Sequence, residues 1–99
     1  MTKTNQVESN SLILNADSKL MHTSFKWIQD TVKYNYSYNF AWQGRPIIQY
    51  PQDLVAMQEL IWKTKPDLII ETGIAHGGSL IFSASMLAQL DMADAIESG

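Results

Sequence analysis

The apolar positions change period along the chain, and each change predicts an element. Residues 1–16 are polar apart from a short "LIL" at residues 12–14, and they read as a flexible tail with at most one extended contact. From Asp17, a suitable N-cap, Met21, Phe25, Ile28 and Val32 recur at offsets of four, seven and eleven, which is one face of a helix. That stripe reads as core or interface packing and not as a cofactor contact. The stretch "YNYSYNFAWQGRPIIQYPQDL" has no helical period. Its aromatics, punctuated by Gly44, Pro46 and Pro51, predict an ordered loop with a short extended piece over residues 47–49. The six aromatic side chains between Tyr34 and Tyr50 read as apolar glue for that loop, ahead of a pocket for a flat organic group.

Periodicity returns after Pro51, which can sit in a first helical turn. Asp53 favours a helix start, and Leu54, Met57, Leu60 and Ile61 predict a helix over residues 52–65, closed by Pro66. "DLII" then runs apolar on successive positions up to Glu71 and Thr72, which predicts a short strand covered on both faces, the habit of a parallel sheet between helices. Gly78 or Ser79 opens a last helix through "LIFSASMLAQLDMA". Ile81, Ala84, Ser85 and Ala88 are its expected sheet-facing side, and the acidic "DMADAIESG" is its expected end. Residues 17–99 thus read as part of one α/β domain.

Composition narrows the function classes. The chain has 99 residues, 45% apolar and 17% charged, as ordinary globular sequences do. Ten acids against seven Lys and Arg give a net charge of −3, and no dense basic cluster is present to neutralise phosphates, so nucleic acid is not an expected partner. There is no cysteine, hence no disulfide and no thiolate metal site. The N-terminal "MTKTNQVESN" lacks the apolar core of a signal peptide, and no apolar segment reaches the roughly 18 residues of a membrane span. A cytoplasmic protein without membrane insertion is the expectation.

The chemistry concentrates in "DLIIETGIAHGGSLIF". Helix, strand, glycine loop and helix in that order open a doubly wound α/β domain, and three loop templates compete. A phosphate-binding loop fits the separation of Gly73 and Gly78 but has Ser79 where its lysine belongs. A dinucleotide fingerprint counted from Gly73 finds Ala75 at its third place and Gly78 at its sixth. The acid-x-Gly-x-Gly-x-Gly pattern of S-adenosylmethionine-dependent methyltransferases is matched by Glu71, Gly73, Ala75 and Gly77, with alanine at the middle glycine. Physical chemistry favours this last template. The cofactor's amino-acid end carries an ammonium, which an acid can hold, and a carboxylate, which helix N-terminal N–H groups around residues 77–79 can hold. Glycines at 73, 77 and 78 permit close approach of the main chain. The competing structural reading is a tight strand-to-helix turn with Glu71 as a solvated end residue.

Taken together, "WQGRPIIQYPQDL" and "PDLIIETGIAHGGSLIFSASML" resemble the family that joins cephalosporin hydroxylases and rhamnosyl O-methyltransferases, over roughly residues 34–90. The resemblance implies a Rossmann-like methyltransferase fold, with S-adenosylmethionine over the end of the first strand. It puts Glu71, Thr72, Gly73, Ala75, Gly77, Gly78 and Ser79 at the methionine end of that cofactor. It also implies a small-molecule acceptor, a sugar or secondary metabolite, and a divalent metal on downstream carboxylates. The hydroxylase name leaves the chemistry open, while the fold implies methyl transfer.

The expected second strand, with an acid for the ribose hydroxyls, does not occur before Gly99, nor do metal ligands. The expectation is therefore an N-terminal piece of a longer protein that does not turn over alone, and that could form a homo-oligomer when complete. Its lone strand has no neighbour to pair with, so exposed apolar faces and marginal folding are expected. Two alternatives stand beside the enzyme: a small module that completes a partner's α/β sheet, and the start of a dinucleotide-binding domain. His76 in the loop and His22 on the first helix read as exposed residues with no catalytic role. Ser79 reads as a cap, since the Gly-x-Ser-x-Gly elbow is absent. Arg45 and Gln49 are the loop residues able to reach over the site.

Overall fold

The structure, a computed structural model, describes residues 3–99 and divides into two compact units, Met1–Tyr34 and Asn35–Gly99. The first unit is helical. Helix α1, Lys3–Ala16, occupies the segment where a tail with one extended contact is expected. The segment holds no Gly or Pro to interrupt a helix, and it has no apolar face to bury, so residues 12–14 are helical and exposed. Helix α2, Ser18–Val32, starts where the sequence predicts. Asp17 keeps an extended backbone, and its carboxylate accepts the Leu20 N–H at 2.9 Å. Met21, Phe25, Ile28 and Val32 all remain exposed, and no described residue of this unit is buried.

The second unit carries the core. The aromatic stretch, expected as a loop, contains a β-hairpin, β1 Phe40–Trp42 and β2 Arg45–Ile47, paired antiparallel with Trp42 opposite Arg45 and Phe40 opposite Ile47. Gln43 and Gly44 both have positive φ, 49° and 80°, as a two-residue turn of primed type requires. Such a turn makes Trp42 and Arg45 the hydrogen-bonded pair and leaves Ala41 opposite Pro46 without ladder bonds, so the missing N–H of Pro46 costs nothing. Ahead of the hairpin lies a short 3-10 turn, Tyr36–Tyr38. Four of the six aromatics act as packing, as expected: Tyr36 stands edge-on to Phe40 at 5.2 Å and near Tyr50, and Trp42 edge-on to Phe82 at 4.8 Å, whereas Tyr34 and Tyr38 are exposed.

Helix α3, Pro51–Thr64, has Pro51 in its first turn and Asp53 at its positive end, within a residue of the predicted bounds. It closes on Lys65 in the left-handed region, φ 47°, just before Pro66. The strand predicted at residues 67–70 is absent. A strand exists only through a ladder with a neighbour, and the hairpin strands pair only with each other. Leu68 and Ile70 are 71% and 80% exposed while Ile69 packs on the core, so the apolar run leaves its outer face bare, as expected for an unpartnered segment.

Helix α4, Gly78–Ser98, runs through the acidic stretch expected to end it. Asp91, Asp94 and Glu97 fall three residues apart on an exposed side, and the alanines between them favour helix. Its inward side also differs from expectation. Gly78, Phe82, Met86 and Leu90, spaced by four, face the core, whereas Ala84 and Ala88 are exposed. The core is Ile47, Ile61 and Phe82, one residue each from hairpin, α3 and α4, ringed by Phe40, Trp42, Leu54, Ile69, Met86 and Leu90. Trp42 donates its indole N–H to Ser85 Oγ at 3.2 Å, tying the hairpin to α4. Among the described residues no helix is long and apolar enough to cross a membrane.

Candidate functional site

A cleft of about 860 Å³ opens in the second unit between α3, residues 66–73 and the first turns of α4. The apolar stripe of α3 explains one wall: Leu54, Met57, Leu60 and Ile61 line the cleft, so Met57 and Leu60 are exposed to it instead of being packed. Glu71, Thr72 and Gly73 line it from the preceding segment, and Ser79, Phe82 and Ser83 from α4. Its charged lining is Asp53 and Glu71, with no Lys, Arg or His. Two carboxylates without a counter-charge give the cleft a negative potential, which favours a cation over a diphosphate.

Glu71 sits at the centre of a small polar network. Its Oε1 accepts the hydroxyls of Ser79, at 3.0 Å, and Ser83, at 2.8 Å, one turn apart on α4. Its Oε2 is buried with no partner. A buried carboxylate oxygen without a donor is costly, and it calls for one, from an ordered water or from a ligand.

The predicted site residues separate into two groups. Glu71, Thr72, Gly73 and Ser79 line the cleft together; Ala75, Gly77 and Gly78 do not. Gly78 is buried against the hairpin, where an added Cβ would collide with the Pro46 carbonyl and lie 2.7 Å from Ile47 Cβ. Its missing side chain serves packing of α4 on β2. Gly77 is the helix N-cap at φ 86°, and its N–H is already spent on the Ile74 carbonyl at 2.6 Å. Ala75 has φ 43° in the same turn and is exposed. Gly73 is different: its φ is unexceptional, and a Cβ there would meet nothing within 4 Å. No contact of the chain itself requires glycine at that position.

Of the two loop residues expected to reach over the site, Gln49 lines the cleft. Arg45 lies instead beside Gly77, where its Nη1 is 3.7 Å from the position of a Cβ added there. His76 is exposed and outside the cleft, as expected. Sequence reasoning missed Ser83, whose signal was its spacing: with Ser79 it makes a serine pair four apart at the start of the helix that follows the acid. It also missed Asp53 as a cleft residue, having read it as a helix starter. Among the described residues no group of three His, Asp or Glu is gathered to hold a metal.

No curated protein and no solved structure matches the chain. The sequence profile of the rhamnosyl O-methyltransferase/CmcI family matches residues 34–97, nearly the whole of the second unit with its hairpin, cleft and glycine turn. The match covers well over half of the chain, and the chain belongs to the rhamnosyl O-methyltransferase/CmcI family.

Proposed function

We propose that the second unit is the cofactor-binding start of an S-adenosylmethionine-dependent O-methyltransferase, acting in the complete enzyme on a sugar or secondary metabolite. The observation that carries this reading is the buried, unpartnered Oε2 of Glu71 in a cleft lined by acids and by no base. An ammonium is the donor that such an oxygen suits, and the amino-acid end of S-adenosylmethionine supplies one. Gly73, with open space where a Cβ would be, lets a ligand reach the main chain beside Glu71. Thr72 and Ser79 complete the polar lining, and Ser79 brings the positive end of α4 to the cleft, where it suits the ligand's carboxylate. Ala75, Gly77 and Gly78 shape the turn and take no part in holding the ligand. When bound, the cofactor supplies an electrophilic methyl group; the chain's own part is to bind and orient it.

In this reading residues 67–71 become the first strand of a Rossmann-like sheet once neighbouring strands pair with them. Leu68 and Ile70 are then covered. Their exposure also favours a second reading, in which that segment completes the sheet of a partner protein. A dinucleotide start is disfavoured by the two carboxylates of the cleft.

Titration of S-adenosylhomocysteine into the 99-residue chain, followed by ligand-observed NMR, tests the proposal. Glu71→Gln keeps an oxygen for the two serines and puts an amide N–H₂ where Oε2 stands. It is expected to weaken binding at least about tenfold, the loss of one charge-assisted bond plus a donor facing a donor. Equal affinity of the variant and the parent for S-adenosylhomocysteine sinks the reading, as does preference for NAD.

A further inference from the structure

The Glu71 carboxylate is held from one side only. Both serine hydroxyls converge on Oε1, and Oε2 is buried without a partner. Ser83 is 8% exposed in the helix interior, where a serine ordinarily bonds back to its own helix, as Ser85 does with the Ile81 carbonyl at 2.8 Å. Ser83 turns instead to a residue twelve positions earlier, on a different segment. A terminal carboxylate torsion is soft and roughly two-fold, so an unrestrained Glu71 could offer either oxygen in a range of orientations.

We propose that Ser83, with Ser79, is a positioning residue for ammonium recognition: the pair fixes Oε1 and so holds the Glu71 carboxylate, with its unpartnered Oε2, in one orientation for the ligand. This rests on the reading of the cleft given under Proposed function and deepens it. Fixing the acceptor before the ligand arrives removes an ordering cost from binding, and the gain falls only on ligands that carry the cationic group. The serine pair thus sets selectivity for an amino-acid-bearing nucleoside over the same nucleoside without that end.

The test uses two probes on the 99-residue chain: S-adenosylhomocysteine, which has the ammonium, and 5′-methylthioadenosine, which lacks it. Ser83→Ala is expected to weaken the first about fivefold, less than the full worth of a hydrogen bond to a charged group because Ser79 still holds Oε1, and to move the second by less than about twofold. A purely structural role for Ser83 would move both probes together, and that result, or no change in either, overturns the inference. Should Ser83→Ala fail to fold, Ser79→Ala, at a less buried first-turn position, must show the same selective loss, and its failure to do so is equally fatal. Glu71→Gln separates the two levels. If it leaves S-adenosylhomocysteine binding intact, the cleft reading itself falls; if it abolishes the preference while both serine variants keep it, only the positioning role falls.

Discussion

Gly73 and Gly78 flank one turn, and the chain uses them in opposite ways. Gly78 is buried, with the Pro46 carbonyl and Ile47 occupying the space that a Cβ would need, so the protein's own packing demands that it be glycine. Gly73 lines the cleft with an ordinary φ and empty space beside it, so nothing in the chain demands glycine there. The same residue type therefore carries a stability constraint on the hairpin side of the turn and, under the proposed function, a ligand constraint on the cleft side. A glycine pattern read from sequence merges the two, and only the side-chain environment separates them.

The sharpest break of this comparison is Gly78→Ala. A methyl group at that position meets backbone, which cannot rotate away, so α4 must shift off β2 and the Trp42 to Ser85 bond with it. The expected cost is about 2–3 kcal/mol, at the upper end for overpacking, read as a lower urea midpoint by far-UV circular dichroism. An unchanged midpoint would mean that α4 does not rest on the hairpin as described.

Gly73→Ala should behave as the mirror image. Its stability change is expected to stay within about 0.5 kcal/mol, as for a surface substitution without strain. Its affinity for S-adenosylhomocysteine should fall about tenfold, or about 1.4 kcal/mol, because the methyl group occupies the approach to the main chain beside Glu71. Loss of stability with unchanged affinity would reverse the assignment of the two glycines.

Much of this arrangement was legible in the sequence, for identifiable reasons. Asp17, Pro51 with Asp53, and Gly78 with Ser79 are local helix-start signals, and α2, α3 and α4 begin where those signals stand. The acid at 71 and the glycine at 73 were legible as candidates because their chemistry is local too, and both line the cleft. What escaped depends on distant partners. The hairpin at Gln43 and Gly44 was hidden because glutamine is a rare first residue for a turn with both φ positive, and Pro46 argued against a strand until its unpaired register was known. The strand at residues 67–70 has strand composition without a neighbour, so pattern alone overstated it. Gly78 could not be told from Gly73 because the Pro46 carbonyl that distinguishes them is thirty-two positions away.

The smallest expected effect probes the boundary between the two sides. Ala75 holds φ 43°, a conformation that costs a side-chain-bearing residue about 1 kcal/mol, and it stands where the methyltransferase glycine pattern has its middle glycine. Ala75→Gly removes that strain but gives the unfolded chain more freedom, so a net gain of only about 0.5 kcal/mol is expected in the urea midpoint. Because Ala75 is exposed and outside the cleft, S-adenosylhomocysteine affinity should not move by more than about twofold. The departure from the pattern would then be a matter of turn strain alone. A large rise in affinity would place the middle position in contact with the ligand, and the ligand side of the turn would have to extend past Gly73 toward Gly77.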